Sequence, residues 1–483
     1  MTIPTLRLLG LSDDEQQTMT MLRSDLLSQR FKLELLDAYF GGEQLVRDLG
    51  ISIPPQLKGL HTVIGWPRIG VESLERRLDL EAFRWADGAD SSDLDEIVEA
   101  NDWYDEASLA HLDALTYGRE YVVAGSGDDT GAPPLVTFES PLDMTLDWDA
   151  RRRAARSALR ECQADRLDYG LAPEDRLATL YLPDQTIQTV QTEAGWEVID
   201  RDEHRLGMLP VLRMANRQRT ADRVGKSEIT PEVMSITDAA CRRLMGIEVA
   251  AEFFGAPARY ILGASESAFQ DAEGNTKSAW ETYIGRVLAL ERDEDGVAPT
   301  VGQFSAHDPT GMTKIIDLYA RIMASQLSVA PHVLGYSSDN PASADAIRYA
   351  DNSQVKKAER CIRRFSATHR DAMRLALWVR DGEPPDKSRR IDTVWRNPAT
   401  PTVAAQTDAA VKLVQAGILP ADGDVVLEMA GFTENQRQRV QAERRRSAGS
   451  AAGGALLERL AQLGGDAEAL PAAVEAGDGI DGL

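Results

Sequence analysis

The sequence predicts an α+β chain, mainly helical, in which long helices carry a small antiparallel β-layer. Three observations predict this class. Behind Thr230-Pro231-Glu232, the residues Val233, Ile236, Ala240, Leu244, Ile247, Ala251 and Phe254 recur at three- and four-residue steps, the spacing of one helix face. A still longer signal runs from Ser343 to Arg380. Val355, Ala358, Ile362, Phe365, His369, Ala372 and Ala376 form its apolar line, and Lys356, Lys357, Arg360, Arg363, Arg364, Arg370 and Arg374 lie mostly off it. Between positions 177 and 199 the period changes to short β-branched or aromatic runs broken by turn residues.

The elements follow in chain order. The N-terminal part, to about Trp85, reads as helical. Leu22, Leu26, Leu27, Leu33, Leu36 and Phe40 keep helical spacing, and Gly41-Gly42 is a stop. From Pro67 to Leu80, Val71, Leu74 and Leu78 share one face. Asp87 to Asp95 is an acidic, Ser-containing linker that lacks the Gly and closing Glu of a calcium loop. Asp93 to Tyr117 reads as helix and Glu120 to Ala124 as strand. Leu177–Leu182, Thr186–Thr192 and Trp196–Ile199 are separated by Pro183-Asp184-Gln185 and Glu193-Ala194-Gly195, which predicts a meander.

Thr230 and Pro231 open a helix as capping hydroxyl and first-turn proline. That helix ends near Gly255 and Pro257, on the order of 35–40 Å from its start. Tyr260 to Pro299 is a separate small unit. Asp308-Pro309 opens a second helix, where Ile315, Leu318 or Tyr319, and Ile322 form the stripe, ending near Leu327. Two helices flanking an inserted module predict a stalk carrying a tip. After the Gly-, Ser- and Asn-containing loop and the longest helix, Ile391–Trp395 is a strand and Pro401 to about Arg446 is helical. From Ser447 the acidic, Ala/Gly/Leu-rich remainder is a weak helix or a disordered tail. No internal repeat is present.

Composition bounds the function. The chain has 483 residues, 43% hydrophobic and 27% charged, as in soluble globular proteins. No apolar run approaches the ~18–20 residues of a membrane span, and the N-terminus lacks the pattern of a signal peptide. Cys162, Cys241 and Cys361 are few and widely spaced, which argues for a reducing compartment with neither a disulfide framework nor a cysteine zinc site. With 53 basic and 77 acidic side chains the net charge is −24, the wrong balance for a static, high-affinity DNA binder. It does not exclude a protein that DNA must pass without sticking.

Candidate sites mostly fail. Gly225-Lys226-Ser227 looks like the end of a phosphate loop, but Thr220 stands where the first Gly is needed and no hydrophobic strand leads in; a turn before the long helix is the plainer reading. Gly263-Ala264-Ser265-Glu266-Ser267 misses the last glycine of a nucleophile elbow. His61, His111, His204, His307, His332 and His369 form no ligand pair, and His369 lies on an apolar helix face as a packed core histidine. The cysteines read as buried spectators. Three basic runs remain: Arg151 to Arg153 with Arg156 and Arg160, the face of the longest helix, and Arg444 to Arg446. Each reads as a solvated face or subunit contact before phosphate binding. The residues alone predict a non-enzymatic, oligomerising assembly protein without metal or cofactor, because thin helical stalks cannot bury such broad apolar faces alone.

Several short sequences, in their order, resemble the portal proteins of tailed bacteriophages, in the SPP1-type branch found in phages of actinobacteria. They are Trp66-Pro67-Arg68 running into Val71 to Leu78; His111 to Leu115 followed by Tyr117-Gly118-Arg119; Gly225 to Ile229; Ala251 to Pro257; Phe304-Ser305; and Leu334-Gly335 with Asn340 to Ile347. The resemblance spans roughly residues 20 to 440. It implies a portal fold: an N-terminal wing at 1–228, stem helix 1 at 229–256, clip at 257–307 and stem helix 2 at 308–327. A tunnel loop at 328–342, the wing's long helix and return strand at 343–400, a crown at 401–446 and a tail at 447–483 follow.

It further implies a ring, a dodecamer, at one capsid vertex, through which double-stranded DNA is packaged and ejected. Its partners would be the terminase large subunit, a head–tail adaptor, and the major capsid and scaffold proteins, with no membrane and assembly in the host cytoplasm. The channel residues implied are Glu248 and Glu252 on the first stem helix, Lys314, Asp317 and Arg321 on the second, and Ser337, Ser338, Asp339 and Asn340 in the tunnel loop. The charge then acquires a mechanism, since an acidic channel repels phosphates and lets DNA move. Asn340-Pro341 as an ordinary turn with Ser343 as N-cap fits equally. Two other readings are a capsid scaffold or minor head protein, and a nucleic-acid-processing enzyme subunit with a site dispersed in sequence.

Overall fold

The computed structural model describes residues 8–44, 62–127, 131–163, 176–193, 195–254, 259–263, 300–303, 308, 310–335, 344–386, 389–399 and 403–448. The chain forms two compact units, one of Met1–Asp79 with Arg84–Thr393 and one of Leu80–Phe83 with Val394–Leu483.

In the first unit, β1 (Leu8–Leu9) leads into α1 (Asp13–Gly41). Ser12 caps α1 in a capping box with Glu15, and Gly42 ends it in the left-handed conformation, so the predicted stop is real. α2 (Trp66–Glu75) buries Val71 and Leu74 together with Leu78 beyond its end, the face the spacing predicts. Residues to Trp85 are not all helical, because Leu80–Trp85 is strand β2. The predicted helix from Asp93 to Tyr117 is two, α3 (Ser92–Ala100) and α4 (Trp103–Tyr117). The break falls at Asp102, whose φ of 45° no α-helix tolerates.

The β-layer is larger than the sequence signals. β3 (Arg119–Gly125), β4 (Leu135–Glu139) and β10 (Val211–Ala215) form an antiparallel sheet in the order β10-β3-β4. β5 (Met144–Asp149), β6 (Ala154–Gln163), β7 (Arg176–Tyr181), β8 (Thr186–Thr192) and β9 (Gly195–Asp202) make the predicted meander and extend it by two strands, with β1 parallel to β9 at its edge. β5 and β6 hide in sequence because ion-paired residues interrupt their apolar alternation: Arg156 meets Asp147 and Asp149 at 3.5 and 3.1 Å, and Arg160 meets Glu139 at 2.6 Å. α1 seals one face of this sheet, where Met19 and Leu22 join Leu159, Leu180, Ile187 and Trp196 in one core.

β11 (Arg259–Leu262) and β12 (Thr300–Gln303) pair antiparallel, Arg259 opposite Gln303 and Leu262 opposite Thr300. They bring together the two ends of the segment inserted between α5 (Pro231–Phe254) and α6 (Thr310–Leu327). The greater part of the predicted tip, 264–299, lies outside the described residues. A 3-10 turn at Pro331–Leu334 precedes α7 (Ala344–Asp381), the longest helix, within one residue of the predicted bounds. β13 (Ile391–Trp395) is the predicted strand.

In the second unit, the predicted helical stretch from Pro401 is three helices: α8 (Val403–Gln415), α9 (Asp424–Met429) and α10 (434–448). Arg437 is 1% exposed and ties two of them together through Asp424 at 2.9 Å, Glu428 at 3.1 Å and Glu434. The predicted tail from Ser447 lies almost wholly outside the described residues.

Candidate functional site: the helical hairpin and its foot

The foot is a contact between two glycines. Gly118, after α4, and Gly225, before α5, have φ of 93° and 110°. A Cβ on Gly225 would stand 2.0 Å from the Gly118 carbonyl oxygen, and one on Gly118 2.7 Å from the Lys226 carbonyl carbon. Only glycine fits at either position. The backbone closes around them: Asn216 N–H donates to Gly118 O, Lys226 N–H to Asn216 O, and Glu228 N–H to Leu115 O, each at 2.9 Å. Asn216 is fully buried and donates from Nδ2 to Glu228 Oε1 at 2.8 Å. Gly225-Lys226-Ser227 is thus a turn that launches α5, and no phosphate loop surrounds it.

On α5, Val233, Thr237, Ala240 and Cys241 are buried, and burial pushes the Cys241 thiol pKa up. Tyr39 on α1 donates to Asp238 at 2.9 Å and pins the helix to its neighbour. The second arm, α6, covers Ala320, Met323, Ala324 and Leu327. Close approach selects this face. The nearest atom to a Cβ on Gly246 of α5 would be Met312 Sδ, at 4.0 Å, and a Cβ on Gly70 of α2 would sit 2.6 Å from Leu327. The covered face alternates small and large residues, Ala320 and Ala324 with Met323 and Leu327, and a second apolar line turns outward. The predicted stripe is the face a single chain leaves open: Ile315, Leu318 and Ile322 are 37, 52 and 39% exposed. Tyr319, the alternative to Leu318, is half-buried.

Of the predicted channel residues, Glu248 is exposed on α5, and Glu252 lies in the same helix with its side chain outside the described set. Lys314, Asp317 and Arg321 are exposed on α6 at i, i+3 and i+7, one line beside the uncovered apolar one. Ser337, Ser338, Asp339 and Asn340 lie outside the described residues, as do Asn340-Pro341 and Ser343 read as turn and cap. The structure therefore brings together the charges of α6.

Behind the hairpin, α4 and α7 meet in a closed seam. Trp103 Nε1 donates to His369 Nδ1 at 3.2 Å. An indole N–H can only donate, so the His369 proton sits on Nε2 and is directed at His111 Nε2, 2.9 Å away. Phe365 stacks on His111 with ring centroids 5.1 Å apart. Burial pushes the His369 pKa down to about 3, and burial with the facing His369 holds His111 well below the ordinary histidine range. His369 is the packed core histidine the apolar line predicts.

The Arg151 to Arg153 run is a surface turn whose Arg151 and Arg152 N–H groups donate to Asp149 at 2.8 and 2.9 Å. Arg444 donates to the Asp422 carbonyl at 2.6 Å. Sequence reading missed the loop cations Arg217 and Arg219, which the fold brings against α7. Arg217, Arg219 and Arg223, all within eight residues before Gly225, were the available signal. Among the described residues no cluster of three or more His, Cys, Asp or Glu could hold a metal ion, and no helix is long and apolar enough to cross a membrane.

Comparison with known proteins gives a consistent result. The family model for phage portal proteins of the SPP1 Gp6-like type matches residues 23–450. The portal protein of Mycobacterium phage D29 is 36% identical over 397 residues, covering 80% of each chain. That of Mycobacterium phage L5 is 34% identical over 396 residues, 80% of this chain and 79% of the relative. Among solved structures, a chain of the neck of a native GTA particle computed with C12 symmetry matches at a TM-score of 0.44 and 14% identity, covering 84% of this chain and 99% of its own.

Proposed function

Since the chain belongs to the SPP1 Gp6-like family of phage portal proteins, we propose that copies of it close into a ring at one vertex of the capsid, the passage through which DNA enters the head and later leaves it. On this reading α5 and α6 are the stem and the segment inserted between them is the clip. The β-layer with α1 to α4 and α7 is the wing, and α8 to α10 are the crown. The ring has twelve copies. Its clip receives the terminase large subunit during packaging and a head–tail adaptor afterwards, and its wing faces the major capsid and scaffold proteins.

One observation carries the ring. A stem helix that exposes Ile315, Leu318 and Ile322 in line leaves surface that a neighbouring copy buries. At roughly 25 cal/mol per Å² of apolar surface removed from water, three such side chains contribute several kcal/mol per contact. A ring whose every subunit carries −24 repels a phosphate backbone at long range, so DNA slides without being held.

Electron microscopy of the purified chain, with its mass in solution, tests the proposal. Closed rings of about twelve subunits with an axial hole are expected. A monomer or dimer that persists at high concentration with scaffold protein present overturns it.

A further inference from the structure

In a chain this acidic, one concave surface among the described residues has a wall whose charged side chains are all positive. It is a cavity of about 860 Å³ between the loop before α5 and the flank of α7. Arg217, Arg219 and Lys226 line it from the loop, and Lys356, Lys357, Arg360 and Arg364 from α7. The rest of its wall is Gln218, Gln326, Ser328, Asn352 and Ser353, so no apolar or acidic side chain lines it. The carboxylates that touch these cations lie beneath or beside them: Glu228 reaches Lys357 at 2.5 Å and Arg217 at 3.6 Å, Asp222 reaches Lys226 at 3.9 Å, and Glu359 reaches Lys356 at 2.8 Å. Among the described residues the seven cations form ion pairs with three carboxylates, an excess of four over those pairs, and Glu232 faces Arg217 from the start of α5.

The floor is built rather than incidental. Glu228 is 2% exposed and Asn216 fully buried, and the two anchor the ring of contacts from below. Arg364 donates from Nη2 to Asn216 Oδ1 at 3.3 Å, and its Nε is buried with no hydrogen-bond partner among the described residues.

We propose that this cradle binds the phosphate backbone of duplex nucleic acid. The wall composition decides between occupants. Protein interfaces are depleted in Lys and centred on aromatic and aliphatic anchors, which this wall lacks. Arg and Lys supplemented by Asn, Gln and Ser are the donors that meet phosphate and sugar. With no aromatic ring to stack an unpaired base and no groove-reading element, the contact is to a duplex and independent of its sequence. Lys356, Arg360 and Arg364 stand at four-residue steps, a stripe of about 12 Å along the helix. That length spans three to four phosphates of one strand at about 3.4 Å each. The inference rests on the portal reading and deepens it: the long-range field repels DNA, and this short-range contact holds it wherever translocation pauses. Gln326 and Ser328 end the second arm of the hairpin and Asn352 lies early in α7, so the cradle brackets the predicted tunnel loop in the chain.

The test uses the full-length assembled protein and a labelled random-sequence duplex of about 25 base pairs, with anisotropy read from 50 to 200 mM salt. Neutralising about four phosphates predicts a fall of roughly 10²-fold in affinity across that range. The triple variant Arg219→Gln/Lys356→Gln/Arg360→Gln alters only exposed side chains. It should still form rings, bind the duplex at least tenfold more weakly at 50 mM, and show a shallower salt dependence. Absence of duplex binding by the unaltered rings at 50 mM overturns the proposal, as does unchanged binding by the variant. A folded variant that no longer forms rings assigns the cradle to a subunit contact and also overturns it. If the triple variant does not fold, Lys356→Gln/Arg360→Gln is read by the same criteria. Failure of the unaltered chain to form rings at high concentration with scaffold protein present overturns the ring reading instead, so the two failures are distinct.

Discussion

The α4–α7 seam and the α5–α6 hairpin are written in the same code, apolar residues at three- and four-residue steps, and they end in opposite states. In the seam nearly every residue of the predicted line is covered: Val355, Ala358, Phe365, His369, Ala372 and Ala376 are buried, and both ring nitrogens of His369 are paired, with Trp103 Nε1 and His111 Nε2. In the hairpin the predicted line of α6 is the one left out, and Ala320, Met323, Ala324 and Leu327 on the other side are covered instead. A helix with two apolar faces can finish one inside its own chain and reserve the other. Periodicity reports that a face will be buried; it does not say by which copy.

The sharpest way to break this contrast is to charge the reserved face. Leu318→Glu/Ile322→Glu should convert rings into monomers while circular dichroism stays unchanged. Rings that survive the double variant would place the subunit contact elsewhere. The seam should behave in the reverse manner. In that monomeric background, Phe365→Ala is expected to cost about 3–5 kcal/mol of unfolding free energy by denaturant titration, the usual range for emptying a buried aromatic site. A loss under about 1 kcal/mol would mean the seam is loosely packed.

Acid should separate the regions next. His369 has a native pKa of about 3 against about 6.5 when unfolded, so the native state binds fewer protons, and stability falls as pH drops below about 6.5. The slope is about 1.4 kcal/mol per pH unit for this group, and His111 adds in the same sense. His369→Gln should flatten the profile between pH 6.5 and 4.5; an unaltered slope would show that the histidines are not the groups taking up protons. The smallest effect belongs to a single exposed position. Ile315→Gln should change monomer stability by under about 0.5 kcal/mol, a value that a thermal melt would exceed if α6 were packed on that side.

Much of this architecture is legible from residues. The capping box at Ser12, the Pro231 helix start, the Gly42 stop and the core place of His369 all follow from local rules, because caps and periodic faces are settled within a few residues of chain. The turn at Gly225-Lys226-Ser227 is equally local, and its failure as a phosphate loop needs only the missing glycine. By contrast, β5 and β6 were obscured by charges whose partners are brought close only by sheet pairing. The division at Asp102 turns on a backbone angle that no residue type announces.

The basic cradle marks the boundary most clearly. Arg217 and Arg219 are separated from Arg360 by about 140 positions, and nothing in composition joins them. Gly118 and Gly225 do so, by allowing two backbones to touch and fixing the loop against α7. Sequence determined the helices, their faces, the acidic total and the family, since each depends on near neighbours or on sums over the chain. Tertiary structure alone decided which apolar face of α6 is spent inside the chain and which cations share a surface, because both depend on distances that close only when remote backbone segments pack.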